Sequence, residues 1–472
     1  MKSGVEREVK LVPGPGFRRI ELDGRPIEAR TLTSIYHDTD DLRLGQAGIT
    51  LRLRRSGKDA AWQLKLPLDG GRCELEWPAP TRRIPAEVRR LLIAHTRGRS
   101  LGAVATLRTE RSGVVVTEGG TDVAEMTDDR VEVVADGAVV DTFEEIEVEL
   151  VDGEPEALER LERLLLDAGA RPSDAPPKVF RALGGVPARG TRVKVKGRRR
   201  RVLAQALAAQ YAEVLARDPG TRLATDPEAL HDHRSAVRRL RALLRAGRPL
   251  LDRAWADDLR RSLKRVGRAL AEARDLDVLI ARIEDDRERL PEPERTGAGD
   301  VLEVLRKRRG RVQRELVASI SDSWYISTLN RLEEAVGDPH FAGSGSLRRG
   351  VRRDHRRARK IVRRLPENPT DAQLHALRRA VRNGRYSAEL AEAGGVRKAG
   401  RYRKRAKALQ GILGDHQDAV VAAETLADID PQLTRPSAHL ARDALAAMQG
   451  ERRAAARDRM ARAWKRLERS AV

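Results

Sequence analysis

The chain has 472 residues, 40% of them apolar but only 3% aromatic, so it is too long for one ordinary domain and builds its cores from Leu, Val, Ile and Ala rather than staying disordered. One cysteine, Cys73, excludes an intramolecular disulfide, and no run is apolar enough to read as a signal peptide or a bilayer span, so a soluble, cytoplasmic protein is expected. The net charge of +22 is uneven: residues 1–190 hold 29 Lys and Arg against 33 Asp and Glu, a balance of −4, which leaves +26 for the remainder. Such a field attracts nucleic acid, anionic membrane or inorganic polyphosphate without choosing among them.

In chain order, residues 1–184 alternate with a period of two. Strands are predicted over 5–11, 34–36, 49–54, 61–66, 73–77, 113–117, 130–134 and 146–151. About eight strands in one domain favour a closed antiparallel barrel, which leaves no exposed edge. Helices are expected over 85–94 and 155–168, the latter with Leu158, Leu161, Leu164 and Leu165 on one face. Residues 185–197 read as a basic linker. From 198 onward the period is helical, with breaks at 218–220, 249, 291–299, 337–346, 366–369, 394–395 and 431–436, giving roughly eight helices. Asp226 is a credible N-cap followed by Pro227, and Thr370 or Asp371 caps a matching later helix.

The alternate strand positions carry charge. Glu6, Glu8 and Lys10 fall on one face of the first strand, Arg52 and Arg54, then Gln63 and Lys65, on later ones, and Glu145, Glu147 and Glu149 on the last. The bland account is a set of solvent-facing residues on amphipathic strands. Carboxylates and guanidinium groups aimed the same way otherwise bury charge, unless they enclose a metal ion and a polyanion such as a string of phosphates.

Taken in order, Glu6-Arg-Glu8-Val-Lys10, Tyr36-His-Asp-Thr39 with Asp41-Leu-Arg43, Leu51-Arg52-Leu-Arg54, Trp62-Gln-Leu-Lys65 and Glu145-Ile-Glu147-Val-Glu149 resemble the CYTH superfamily, the triphosphate tunnel metalloenzymes. The resemblance implies an eight-stranded antiparallel tunnel that hydrolyses a linear triphosphate with Mg²⁺ or Mn²⁺. On that basis Glu6, Glu8, Glu147 and Glu149, with Glu145, are assigned to metal and water, and Lys10, Arg43, Arg52, Arg54 and Lys65 to phosphates. Arg108 and Arg111, then Asp129, Glu74 and Lys178, are further candidates. The chemistry agrees: Mg²⁺ takes one or two carboxylates plus substrate phosphates, and Arg forks bind phosphate in a bidentate manner.

The helical region contains a repeat. His231, Arg234, Arg238 and Arg241 share a helix stripe, and His375, Arg378, Arg382 and Arg385 repeat it 144 positions later. The stretch from Leu270 to Asp277 returns in that from Leu413 to Val420, so two pseudo-symmetric four-helix bundles are expected. Any one Arg here would suit a solvated face, but a duplicated stripe of like charge is destabilising without a ligand. These stripes resemble the CHAD domain, which implies binding of inorganic polyphosphate and association with polyphosphate granules. Arg260, Arg261, Lys264, Arg268, Arg352, Arg353, His355, Arg401, Arg403 and Lys404 would extend the surface. Asp275, Asp277 and Asp418 are expected to pair with the basic helix, and the two histidines, far apart in the chain, do not suggest zinc.

No Walker A loop, dinucleotide fingerprint, zinc spacing or nucleophile elbow is present, and scarce aromatics argue against a stacking platform for single-stranded nucleic acid. The expected protein is a metal-dependent triphosphatase fused to a polyphosphate-binding domain. Binding without turnover is the alternative, and nucleic-acid binding is a weaker one. Tripolyphosphate, thiamine triphosphate, a nucleoside triphosphate (for hydrolysis or cyclisation) and long polyphosphate stay open as substrates.

Overall fold

The computed structural model describes residues 2–68, 71–173, 177–186 and 195–471. It comprises two compact units, 1–190 and 191–472. Most of the expected linker, at 187–194, lies outside the described residues.

In the first unit, period-two sequences become strands β1 (Lys2–Glu6), β2 (Glu8–Pro13), β3 (Gly24–Asp38), β4 (Thr50–Ser56), β5 (Asp59–Leu68), β6 (Gly71–Pro78), β7 (Gly102–Glu118), β8 (Thr121–Ala135), β9 (Ala138–Leu150) and β10 (Ala170–Pro172). Helices α1 (Ala86–Leu91), α2 (Ile93–Thr96), α3 (Pro155–Asp167) and α4 (Lys178–Ala182) complete it. All ten strands form one antiparallel sheet in the order β1-β6-β5-β4-β3-β7-β8-β9-β2-β10. The expected eight are recovered when β1 and β2, separated only by Arg7, count as one strand and the three-residue β10 is set aside.

Closure differs from expectation. Among the described residues the hydrogen-bonded ladder does not close. One end is β1 on β6, and toward the other β2 pairs with β9. Continuity of the chain through Arg7 joins them, so the sheet is brought round on itself covalently. Its curl is visible in the electrostatics: Arg52 on β4 feels the carboxylate of Glu147 on β9, four strands away in the ladder.

Apolar residues of the alternating pattern face outward, beneath helices. Leu11, Met126, Ile146 and Val148 bury against Ala157, Leu161 and Leu165 of α3. On the other flank the Trp77 indole N–H donates to Glu87 of α1 at 2.7 Å. The charged positions are left facing the concave side, an inversion of the usual apolar-in arrangement. Farther along the same face the residues turn apolar: Leu107, Val131, Val133 and Phe143 pack on Val179 and Phe180. The short helix α4 therefore plugs one end of the interior.

The second unit contains α5 (Arg198–Leu223), α6 (Pro227–Ala246), α7 (Arg253–Ala269), α8 (Ala271–Arg287), α9 (Glu294–Ser319), α10 (Ser323–Gly337), α11 (Leu347–Val362), α12 (Asp371–Ala393), α13 (Ala399–Ile429) and α14 (Pro436–Glu468). Two four-helix halves are legible in these ten: α5, α6, the broken α7–α8 and α9 correspond to α11, α12, α13 and α14, with α10 inserted between. The halves meet through α6 on α12, α8 on α13, and α9 on α14. Asp226 caps α6 by accepting from the Glu228 amide, with Pro227 in the first turn, and Thr370 forms a capping box with Gln373 on α12.

One expected break is absent, and another, at 291–299, is confined to 288–293. α5 runs through Pro219, because buried Asp218 grips Arg222 one turn on and accepts from Tyr325 at 2.8 Å; tertiary pairing outweighs the proline's lost amide. α9 runs through Gly297 and Gly299. A Cβ on Gly297 would lie 2.0 Å from the Ser437 carbonyl at the start of α14, whereas one on Gly299 meets nothing within 4 Å. We expect Gly297→Ala to destabilise the protein by about 1–3 kcal/mol. Gly299→Ala should be neutral or add about 0.5–1 kcal/mol. Denaturant unfolding of the two variants measures both.

Candidate functional site

Register brings the charged strand positions together. Glu8 on β2 lies opposite Glu149 on β9, which lies opposite Glu125 on β8. The next row is Lys10, Glu147 and Thr127, and beyond it Glu145, Asp129 and, on β7, Arg111. Across the curl, Arg52 and Arg54 pair with Gln63 and Ala61 of β5, and Gln63 and Lys65 with Glu76 and Glu74 of β6. Glu6 pairs with Arg72 through its backbone; its side chain lies outside the described residues.

Three cations hold the carboxylates. The Lys10 Nζ lies 2.8 Å from Glu147 and 3.3 Å from Glu8. The Arg111 guanidinium donates to Asp129 at 2.7 and 2.6 Å and to Glu147 at 2.5 Å. Lys178, at the start of the plug helix, bonds Asp129 and lies 3.3 Å from Glu145 and 3.1 Å from Glu147. Burial alone would neutralise Glu147, but Lys178, Lys10 and Arg111 hold its carboxyl well below the usual range. Burial prevails at Glu145 and raises its carboxyl, against the pull of Lys178 and Lys10.

The other wall is cationic. The Arg52 Nε donates to Gln63 at 2.8 Å, Gln63 donates on to Glu76 at 2.8 Å, and an Arg52 amine reaches the Tyr36 hydroxyl at 3.2 Å. Arg54 is pushed down to about 10, by burial first and then by Arg52, Arg111 and Arg30. Arg30 faces Arg111 across β3 and β7. It lines two hollows, one of about 520 Å³ with Arg54, Gln63 and Glu76, the other of about 800 Å³ with Arg111, Asp129 and Glu145.

Not every candidate joins this face. Arg108 points to the opposite side of β7, half exposed and paired with Glu132 at 3.1 Å, since its position has the wrong parity. Arg43 lies in the loop after β3, its Nε on Asp41 at 2.9 Å, where Asp38 accepts from the amides of Thr39, Leu44 and Gly45. Lys65 lies 3.8 Å from Glu74. Sequence reasoning missed Arg30, Glu76 and Glu125 and undervalued Lys178. The period-two run Glu125, Thr127, Asp129 carried a signal; Lys178, delivered by a separate helix, carried none.

Hard divalent ions suit this oxygen-rich donor set. Among the described residues no group of three or more His, Cys, Asp or Glu side chains is placed to hold one. What fits is the facing pair Glu8 and Glu149, with phosphate oxygens completing the shell. Like charges directly opposite on neighbouring strands are otherwise unfavourable.

In the helical unit, seven of the eight stripe residues line one cavity of about 540 Å³: His231, Arg234, Arg238 and Arg241 from α6 and His375, Arg378 and Arg382 from α12. Residues 144 positions apart are thus neighbours across the pseudo-symmetry seam. Arg385 stands just outside, its Nε on Gln410 at 2.8 Å. Asp275 pairs with Arg234 at 2.6 Å, and Asp418 lies 3.9 Å from its equivalent, Arg378. Asp277 instead pairs with Arg309 of α9 at 2.5 Å. Arg382 is pushed down to about 10 by burial and by Arg238 and Arg378. Arg274, Arg282 and Gln417, missed from the sequence, also line the cavity; Arg274 and Gln417 occupy equivalent places in the repeated segment. Among the proposed extensions, Arg260 pairs with Asp257, Arg403 with Glu392, and His355 is buried against Trp464.

Removing one partner from a buried charge cluster leaves the others uncompensated. Lys178→Met should therefore cost about 3–5 kcal/mol at pH 7. The parent loses its Glu147 contribution only when pH falls through that group's depressed value, whereas the variant's carboxylates protonate earlier, so the deficit shrinks on acidification. Urea unfolding at a series of pH values checks this.

Comparison with known proteins accords with this architecture. The CYTH domain family matches residues 5–172 and the CHAD domain family residues 205–427. An uncharacterized protein of Mycobacterium tuberculosis is 31% identical over 461 residues, covering 89% of this chain and 88% of its own length. PptA from Streptomyces chartreusis is similar at 24% identity and a TM-score of 0.49, over 56% of this chain and 98% of its own. The CHAD domain from the plant Ricinus communis gives 24%, 0.47, 56% and 90% for the same quantities. The chain belongs to the family in which a CYTH domain is followed by a CHAD domain.

Proposed function

We propose that the first unit hydrolyses inorganic triphosphate, or a closely related linear triphosphate, and that the helical cavity binds inorganic polyphosphate. The observation that carries the reading is a crowd of arginines, Arg30, Arg52, Arg54 and Arg111, set beside a carboxylate wall on one concave surface. Arg54 is held at about 10 by burial and its guanidinium neighbours, a cost that a phosphate chain among Arg52, Arg54, Lys65 and Arg111 would offset.

In this reading those side chains grip the phosphates and orient the chain along the interior. A Mg²⁺ or Mn²⁺ ion, held by Glu8 and Glu149 together with Glu6, would neutralise phosphate charge and polarise a water. Water oxygen attacks the terminal phosphorus, the bridging P–O bond breaks, and diphosphate leaves. A carboxylate of the Glu8 and Glu149 row accepts the water's proton. Lys10 and Arg111 keep Glu147 charged and in place. The plug formed by Val179 and Phe180 limits water at that end of the interior.

A second reading, binding without turnover, is favoured by one observation: Glu147 and Asp129 are already engaged by lysine and arginine rather than grouped as metal ligands. Phosphate release from tripolyphosphate with Mg²⁺ or Mn²⁺ separates the two. Release abolished by Glu8→Ala, with polyphosphate retention intact, is the expected result; no release by the parent chain would favour the second reading. Arg234→Glu with Arg378→Glu should weaken polyphosphate retention at least tenfold in a filter assay while leaving triphosphate turnover unchanged. Unchanged retention would remove the stripe from the binding site.

A further inference from the structure

A second basic surface lies outside the cavity. In 347–364, which covers α11 and the turn after it, every exposed position is Arg or Lys, nine in all, and the one acid is Asp354. That acid is buried and already taken: Arg245 donates to it at 3.0 and 2.7 Å and Ser387 at 2.6 Å. Among the described residues, Arg357, Lys360, Arg364 and Arg379 form no ion pair or side-chain hydrogen bond. Together they line a hollow of about 360 Å³ between α11 and α12.

The fold does not require this stripe. The pseudo-symmetric equivalent, α5, exposes Gln205, Ala209, Ala212, Glu213 and Ala216 over most of its length. Like charges one turn apart destabilise a helix; Arg353 lies 3.7 Å from Asp354, but Arg357, Lys360 and Arg364 meet no acid among the described residues and call for an external counter-charge.

The shape of the patch limits the partner. At 100° per residue the exposed positions spread over about half the helix circumference, and at 1.5 Å per residue they run for about 24 Å. This is a band, not a line. A single-file phosphate chain neutralises a line, whereas a duplex presents two phosphate rows and one charge per about 1.7 Å of axis. An anionic membrane is a poorer match, because no exposed apolar residue stands beside the cations to insert. Single strands lack an aromatic to stack on here. Phosphate contacts from Arg and Lys position a protein on a duplex and carry no sequence information.

We propose that the exposed face of α11, with Arg379 of α12, is a sequence-independent docking surface for duplex nucleic acid, separate from the basic cavity. The test uses the full chain and a fluorescent 24-base-pair DNA duplex, read by anisotropy at several salt concentrations, beside polyphosphate retention. One variant carries Arg356→Ala, Arg357→Ala, Lys360→Ala and Arg364→Ala; another carries Arg378→Ala and Arg382→Ala in the cavity. Alanine suits exposed helix positions, and a matching set of glutamine substitutions stands in if the first set unfolds. The helix variant should bind duplex at least tenfold more weakly, with its log–log salt slope reduced by about 3–4, and keep its polyphosphate. The cavity variant should do the reverse. The proposal fails if the helix variant binds duplex normally, if both variants lose duplex alike, or if the helix variant loses polyphosphate as strongly. Preferential binding to phosphatidylserine vesicles through the same four residues would also overturn it.

Discussion

Positive charges are held closer together in this protein than they would settle on their own. Arg54 sits among Arg52, Arg111 and Arg30, and Arg382 among Arg238 and Arg378, and each loses proton affinity, to burial first and to these neighbours second. Burying a charge is costly, and placing it beside its like adds to the cost. The fold sustains it because the spacing is set by backbone register: strand pairing in one unit, helix packing across a pseudo-symmetric seam in the other. Phosphate chains are polyanions with closely spaced charges, and each site offers cations at enforced separations. The two units use unrelated architectures to impose one electrostatic condition.

In the sheet, that condition depends on an inverted pattern. Outward positions carry Leu, Ile, Val and Met beneath α3, leaving the concave face for charge. The interior is then zoned along the strands, charged for part of its length and apolar where Val179 and Phe180 enter. Lys178 stands at the boundary. A single helix thus supplies both the plug and the ammonium group that compensates three carboxylates, which ties stability of the sheet to the electrostatics of the site.

Much of this is legible in the chain. Period two reveals the strands and the faces on which Glu8, Lys10, Arg52, Arg54 and Glu147 fall. The repeated His-x-x-Arg-x-x-Val-Arg pattern reveals the paired stripes. What stays hidden is whatever depends on distant pairing. Pro219 reads as a break until Asp218, Arg222 and Tyr325 are seen to hold α5 together. Arg108 reads as a ligand until strand parity turns it away. Asp277 resembles Asp275 but meets α9 instead. Lys178 has no motif, because its role arises from where a five-residue helix docks.

Thermal unfolding in the presence of phosphate chains of increasing length tests the central claim most directly. If crowded cations await a linear polyanion, tripolyphosphate and longer polyphosphate should raise the unfolding temperature in proportion to the logarithm of their concentration, as a ligand selective for the folded state must. Sulfate or chloride at matched ionic strength should do far less. Equal stabilisation by sulfate and by polyphosphate would contradict the account, since it would reduce both sites to general screening of surface charge.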